Sequence, residues 1–281
     1  MAGPLSTQSF TIESAPRLFG ERVGEGTQVM LLHGITATRR YVVHGSKVLP
    51  RRGFELISYD ARAHGESDPA PEGSGYGFQD LAADLARVIE QRCAGPPIVC
   101  GHSMGCHTAA TFAIEGPERV AALVLIGPAQ IGIRNDDTLA YWDRLADGLE
   151  GGGVEGFMTA YEADLDVDPA WRDAVLRITR ERLALHRHPR ALARAIREVT
   201  RSVPFDGLAE LESLDLPALV VASHDEADPG HPYSVAEAWA ERLPRGELIG
   251  EERGESPLAW QGGRLSRAIA DFADRARRRR A

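Results

Sequence analysis

The feature that most constrains the fold is a Gly-x-Ser-x-Gly pattern between an apolar strand and a helix. The stretch from Gly101 to Gly105, with Ser103 at its centre, directly follows the apolar run Ile98–Cys100. A chain that passes from strand to helix through one residue bends sharply, and small neighbours let the two elements approach each other. The bend raises the serine hydroxyl above the sheet and points the helix N-terminus at negative charge developing there.

The first 130 residues alternate apolar runs with helical stretches, which predicts a mostly parallel sheet with helices on both faces. The predicted central strands are Thr27–Leu32, Phe54–Tyr59, Pro97–Cys100 and Val120–Ile126, with a helix at Phe78–Gln91 and antiparallel edge strands at Ser9–Glu13 and Leu18–Val23. After residue 205 the pattern resumes with a strand at Ala218–Ala222, a helix at Val235–Arg242, a strand near Glu247–Gly250 and a helix from Leu265.

Residues 131–205 interrupt this alternation with four helical segments and no strand. We expect them to form a helical cap inserted into an α/β core made of residues 1–130 and 206–281, with Gly151–Gly153 separating the first two helices. Four apolar cap residues could line a substrate pocket: Trp142, Phe157, Met158 and Tyr161. The alternative for each of them is packing of one helix on another.

Composition limits the classes of partner. The formal net charge of −9 argues against a nucleic-acid partner. Without a signal-peptide pattern or an apolar run long enough to span a bilayer, we expect a cytoplasmic protein with no membrane partner. No metal-ligand spacing or nucleotide-binding glycine loop occurs, so we expect a small-molecule substrate and no metal or other cofactor. An edge strand and an exposed cap face could support a homodimer.

Two further motifs accompany the serine pattern, and together they resemble the α/β-hydrolase superfamily over nearly the whole chain. They are Leu31–Gly34, which ends in His-Gly, and the Asp-x-Arg loop Asp60–Ser67, which has Ala63 where that family usually has glycine. The resemblance implies a mostly parallel eight-stranded sheet flanked by helices with a helical cap. It also implies that the backbone N–H groups of Ile35 and Met104 form an oxyanion hole, and that the Asp60–Ser67 loop is structural.

The same resemblance implies a carboxylate after the strand Ala218–Ala222 and a histidine after the strand that follows it. Asp228 fits the carboxylate position, in an Asp-Pro-x-x-Pro segment, and Asp225 is the second candidate. Glu255 occupies the histidine position, and the sequence contains no histidine after His231. A serine nucleophile needs a base to take its proton, so this departure bears directly on mechanism.

Three interpretations remain open from the residues. Glu255 and Asp228 could share a proton as a like-charge pair, which would raise one carboxyl pKa toward the working range. A histidine from elsewhere could serve as the base, the candidates being His224, His231, His186 and His188, whereas His33 and His102 are expected to be structural. We favour an enzyme that acts through Ser103 on a small, largely apolar ester, lactone, thioester or carbon–carbon bond between carbonyls. The alternative is a catalytically attenuated ligand-binding protein on the same fold.

Overall fold

A computed structural model describes residues 5–224, 230–252, 255, 260 and 262–278. Within them, one sheet contains eight strands in the spatial order β1-β2-β4-β3-β5-β6-β7-β8. In chain order the strands are β1 (Thr7–Ile12), β2 (Leu18–Val23), β3 (Thr27–Leu32), β4 (Phe54–Tyr59), β5 (Ile98–His102), β6 (Ala122–Ile126), β7 (Ala218–Val221) and β8 (Gly246–Ile249). The predicted eight-stranded α/β fold is confirmed.

The six strands β3 to β8 pair in parallel, and β1 and β2 form an antiparallel ribbon at one edge. Every residue of β6 and β7 is buried, as expected for strands covered on both faces. Since parallel strands all end at the same edge, the segments that follow β3, β5, β6, β7 and β8 meet there. Among the described residues, Ile35, Ser103 and Met104 lie at this edge, directly after β3 and β5.

The helices in chain order are α1 (Val48–Arg51), α2 (Phe78–Arg92), α3 (Met104–Glu115), α4 (Asp136–Ala163), α5 (Pro169–Leu183), α6 (Pro189–Arg201), α7 (Tyr233–Arg242) and α8 (Gly263–Arg278). Helices α2, α3 and α7 bury their apolar faces on one side of the sheet. Helices α1 and α8 cover the other side, where Leu265, Ile269 and Phe272 are buried as the sequence pattern predicts.

Helices α4, α5 and α6 lie between β6 and β7 in the chain and have an apolar core of their own. Helix α4 is interrupted at Gly153, whose φ of 60° is non-helical, so the glycine run separates two helical pieces as expected. Ala195 and Val199 of α6 pack against Met104 and Phe78 of the sheet domain. The inserted helices therefore contact the start of α3, next to Ser103.

Candidate active site

Ser103 occupies the single residue between β5 and α3, with a backbone φ of 53° and ψ of −115°. A positive φ is unfavourable for a residue with a side chain, so the surrounding structure must hold it. The Ser103 N–H donates to the carbonyl of Ile126 at 3.0 Å. A Cβ at Gly101 would collide with the backbone of Gly105, and one at Gly105 would collide with the backbone of Leu32. The two glycines are required by this close approach of strand and helix.

The turn after β3 lies directly against this bend. A Cβ placed on Gly34 would lie 3.1 Å from the Ser103 Cβ, and Ala37 N–H closes the turn on the Gly34 carbonyl at 3.1 Å. Ile35 is the second residue of the turn. Met104 is the first residue of α3, and a helix leaves its first N–H groups without an acceptor in the helix itself. The placement supports Ile35 and Met104 as oxyanion donors, which stays a prediction.

The loop after β4 is held by buried ion pairs. Asp60 is fully buried, accepts the Arg39 N–H at 2.8 Å and pairs with the Arg39 guanidinium. Gly65 is needed there because a Cβ would overlap the Asp60 carboxylate. Arg62 reaches Asp84 on α2 with two hydrogen bonds of 2.7 Å. These contacts agree with the structural interpretation of the Asp60–Ser67 loop.

His186 of the inserted segment binds the core through both ring nitrogens. Its Nδ1 accepts the Gly65 N–H at 2.8 Å, and its Nε2–H then donates to the Thr36 carbonyl at 3.0 Å. Burial lowers the pKa of the ring to about 4. His33 likewise uses both nitrogens on backbone groups, and His64 lies between the two rings. In this arrangement His186 is a neutral bridge between loops, which argues against its use as the base.

The predicted acid Asp228 and its alternative Asp225 lie outside the described residues. His231, on the same loop, is placed beside the serine bend. Its ring centroid lies 5.2 Å from that of His102, and its Cβ and Cγ lie 3.3 Å from where a Gly127 Cβ would be. Because Ser103 bonds to the last residue of β6, the residue just before Gly127, His231 borders the end of the same strand.

The described contacts of Glu255 are with residues outside the serine bend. Its carboxylate accepts the Glu252 N–H at 3.2 Å and forms an ion pair of 3.0 Å with Arg264 on α8. The Glu255 side chain is 40% exposed. Within the described chain these partners belong to the loop after β8 and to α8, and Ser103 is not among them. The role of Glu255 as the base stays a prediction.

Glu251 is a buried carboxylate that the sequence analysis did not single out. It accepts hydrogen bonds from Ser223 Oγ at 2.7 Å, the His224 N–H at 2.5 Å and Trp260 Nε1 at 2.6 Å. Burial alone would raise the pKa of this carboxyl, but the hydrogen bonds outweigh it and hold the pKa below its ordinary value. The His224 ring stacks on Tyr233 at 4.0 Å. Glu251 thus ties the loop after β7 to the loop after β8. Its position two residues after the end of β8 was the available signal.

The four predicted pocket residues of the inserted helices divide into two pairs. Phe157 and Met158 are each 2% exposed and belong to the apolar core of these helices. Trp142 and Tyr161 are partly buried against that core, together with Ile35 from the turn after β3. This placement favours packing over substrate contact for Phe157 and Met158. Trp142 and Tyr161 stay candidates for the pocket wall.

Two negative findings apply to the described part of the chain. It contains no group of three or more histidine, cysteine, aspartate or glutamate side chains that could hold a metal ion. In the same residues, no helix combines the length and the apolar character that crossing a membrane would require.

Comparison with known proteins gives partial sequence matches and full-length structural matches. A sequence model of the alpha/beta hydrolase fold family matches residues 27–166. A Bacillus subtilis (strain 168) protein, named as a candidate 2-succinyl-6-hydroxy-2,4-cyclohexadiene-1-carboxylate synthase, is 34% identical over 48% of this chain and 49% of its own length. A 2-(acetamidomethylene)succinate hydrolase from Mesorhizobium japonicum is 35% identical over 37% of this chain and 36% of its own length. The chain therefore spans half or less of these relatives.

Solved structures match over almost their whole length. A thermophilic esterase from Thermogutta terrifontis has a TM-score of 0.78 at 22% identity, covering 96% of this chain and 99% of the esterase. The enol-lactonase from Burkholderia xenovorans LB400 has a TM-score of 0.72 at 18% identity, covering 93% and 98%. At these identities the likeness concerns the fold. The family match, the sheet order and the strained serine between β5 and α3 agree: the chain belongs to the α/β-hydrolase superfamily.

Proposed function

We propose that this protein is a serine-dependent enzyme that cleaves a small, largely apolar carbonyl compound, with Ser103 as the nucleophile. The substrate class is an ester, lactone, thioester or a carbon–carbon bond flanked by carbonyls. The relatives named as hydrolase, esterase and lactonase support acyl chemistry on a small molecule. The proposal depends most on the backbone of Ser103.

The observation that best supports the proposal is the positive φ of Ser103 between β5 and α3. A strained non-glycine residue persists only where packing holds it, and such residues cluster at active sites. The Ser103 Cβ lies beside the Gly34 turn and Ser103 directly precedes α3, which supports the arrangement that acyl transfer uses. Architecture alone would need the two glycines but gives no reason for a serine between them.

In the proposed reaction the Ser103 Oγ attacks the substrate carbonyl carbon and loses its proton to a base. The carbonyl oxygen becomes negative, and the N–H groups of Ile35 and Met104 donate to it. Collapse of this intermediate expels the leaving group, which takes up the proton, and water then releases the acyl group from Ser103. Removing one donor of such a hole typically lowers kcat by about 10²–10³.

Two groups compete for the role of base. His231 lies against the bend, beside His102, and a neutral imidazole accepts protons well near neutral pH. Glu255 is at the position that the resemblance assigns to the base, yet its carboxylate is paired with Arg264. In this position the carboxylate contacts Arg264 and the Glu252 N–H, and no described contact joins it to the serine bend. The position of His231 therefore favours it as the base. We propose Asp228, the carboxylate that the resemblance implies, as its orienting partner.

A fluorophosphonate probe tests the nucleophile. We expect the native protein to be labelled at Ser103 and Ser103→Ala to be unlabelled. Ser9→Ala, at an exposed position in β1, is the matched control and should be labelled like the native protein. Equal labelling of native protein and Ser103→Ala would reject Ser103 as the nucleophile.

Two variants separate the candidate bases. His231→Gln should lower the labelling rate by about 10²-fold or more if imidazole takes the serine proton, since general-base catalysis contributes about 10²–10⁴. Glu255→Gln should then change the rate less than threefold. The opposite ranking would assign the base to Glu255. Glu255→His reports whether an imidazole at that position raises turnover of an activated ester.

A ligand-binding protein is the second candidate function. It is favoured by the absence of any histidine after His231 and by the 7% exposure of Ser103. Without a base, the bend and the oxyanion donors would still leave about 10³–10⁴ of acceleration over water. An absence of labelling in the folded native protein at every probe concentration would select this second function.

A further inference from the structure

The loop of residues 127–135, between β6 and α4, carries polar side chains that no role described so far explains. It leaves the sheet at the edge where Ser103 lies. Two hydrogen bonds fix it, because Trp239 Nε1 donates to the Gln130 carbonyl at 3.1 Å and the Ala129 N–H donates to His107 Nε2 at 3.3 Å. The backbone of the loop is therefore held in place at Ala129 and Gln130.

Three buried nitrogen donors of this region have no hydrogen-bond partner among the described residues. They are Nε2 of Gln130, Nε of Arg134 and Nδ1 of His107. The amide oxygen Oε1 of Gln130 also has no partner there, so the region has one unpaired acceptor beside its donors. Since His107 Nε2 accepts from Ala129, its Nδ1 carries the proton and is a donor. Gln130 is 7% exposed and His107 is 1% exposed. Buried polar groups are nearly always satisfied, so three unpaired donors beside one unpaired acceptor indicate a ligand that mainly accepts hydrogen bonds.

Arg134 is the charged member of this cluster. Burial lowers the pKa of its guanidinium to about 10, and no carboxylate of the described residues opposes that effect. Other arginines of the molecule, such as Arg62 and Arg197, pair with carboxylates that raise their pKa. A half-buried guanidinium without a counter-ion is costly, and an anion beside it would remove that cost.

The cluster is close to the proposed nucleophile. His107 lies in the first turns of α3, four residues after Ser103, and its N–H donates to the Ser103 carbonyl at 3.4 Å. The charge of Arg134 is near enough to lower the pKa of His107, after the larger effect of burial. A ligand group at Arg134 could therefore belong to a molecule whose carbonyl is at Ser103.

We propose that Arg134, together with the side chains of Gln130 and His107, binds a carboxylate of the substrate. This specificity site rests on the proposed function of Ser103. A carboxylate fits because its two oxygens accept from the unpaired donors and match the planar fork of an arginine with two parallel hydrogen bonds. The substrate is then a monoanion whose carbonyl lies a few bonds from the carboxylate, with the apolar remainder facing the inserted helices.

Binding tests the site without catalysis. Calorimetry on Ser103→Ala measures the affinity for glutarate, whose carboxylates lie about 5 Å apart, and for its neutral analogue glutaramide. We expect glutarate to bind at least tenfold more tightly, and Arg134→Met in the same background to lose that preference. Arg134→Lys should keep part of it. The control is Arg177→Met, an exposed arginine of α5 paired with Glu181.

Turnover tests the same site in the reaction. The 4-nitrophenyl half-ester of glutaric acid and 4-nitrophenyl pentanoate have acyl chains of equal length and differ in the terminal carboxylate. The ratio of their kcat/KM values should favour the half-ester, fall about 10- to 100-fold in Arg134→Met and be unchanged in Arg177→Met.

Four outcomes test the carboxylate site and the function proposed for Ser103. If glutarate binds more tightly than glutaramide only when Arg134 is present, and neither ester is turned over, the carboxylate site is kept. The function proposed for Ser103 is then rejected. Turnover with the same ester ratio in native protein and Arg134→Met rejects the site and keeps the nucleophile. Equal binding of sulfate and glutarate would also overturn the assignment to a carboxylate. Loss of glutarate binding in Arg177→Met would show a nonspecific effect of charge and overturn it too.

Discussion

Replacing His186 by leucine removes the bridge between the inserted segment and two core loops. The leucine leaves the Gly65 N–H and the Thr36 carbonyl without their hydrogen bonds to the ring. Both bonds are buried, and an unsatisfied buried group costs about 1–3 kcal/mol. We therefore expect His186→Leu to lower the free energy of unfolding by about 2–5 kcal/mol. His186→Gln, which can both donate and accept, should recover part of this loss.

The same residue predicts a pH dependence with a defined sign. Burial lowers the pKa of His186 to about 4, and the nearby His33 and Arg182 act in the same direction, opposed by the Thr36 hydrogen bond and by Asp60. The unfolded chain, with a histidine pKa near 6.5, binds the proton more readily than the folded chain. The contribution of neutral His186 to the free energy of unfolding is therefore fully present above about pH 6.5. It is lost as the pH drops toward 4, by about 3 kcal/mol in total.

Urea unfolding of the native protein and both variants at pH 7.5, 6, 5 and 4 measures these effects. The loss of stability between pH 7.5 and 4 should be about 3 kcal/mol smaller in His186→Leu than in the native protein. Buried His107, with a pKa of about 3, destabilises all of them equally and cancels in the comparison. His188→Gln is the control, because His188 precedes α6 without a capping hydrogen bond. A cost below 0.5 kcal/mol with an unchanged pH profile would refute the bridge.

Three further substitutions test the packing around the site. Gly101→Ala should cost about 2–4 kcal/mol or prevent folding, because its methyl group meets the backbone of Gly105; a thermal transition within 2 °C of the native one would contradict this. Glu251→Gln should cost about 2 kcal/mol in urea unfolding, since an amide cannot accept all of the hydrogen bonds that converge on the carboxylate, and an unchanged midpoint would count against that role. Trp239→Phe should lose about 1 kcal/mol with its hydrogen bond to the Gln130 carbonyl, and no loss would mean that the loop is held by other contacts.

Local patterns in the sequence predicted most of the sheet. The bounds of Thr27–Leu32 and Phe54–Tyr59 agree with the structure, because continuous apolar runs between turn residues are typical of buried parallel strands. The strand before Ser103 extends to His102, two residues beyond the expectation. The four-residue helix Val48–Arg51 was not predicted, since one turn is too short to show a helical period and it contains a proline.

The site was less predictable because its contacts join residues far apart in the chain. The pairing of His186 with Thr36 spans 150 residues, and neither neighbourhood contains a signal for the other. Glu251 and Glu255 lie four residues apart after the same strand, yet one is buried and the other forms a surface ion pair. Which glutamate turns inward depends on donors from the loop after β7 and from Trp260. A local pattern does not contain that information.

Ile35 contacts both the inserted helices and the sheet domain. Its side chain packs both with the inserted helices and with the group around Met104, while its peptide belongs to the turn beside Ser103. A movement that lifts those helices to admit a substrate would pull on this residue and shift its N–H. If that N–H is an oxyanion donor, as proposed, we expect the oxyanion hole to be complete only while the inserted helices pack on Ile35. Variants that weaken the packing of the inserted helices on Ile35 should then bind substrate faster and convert it more slowly.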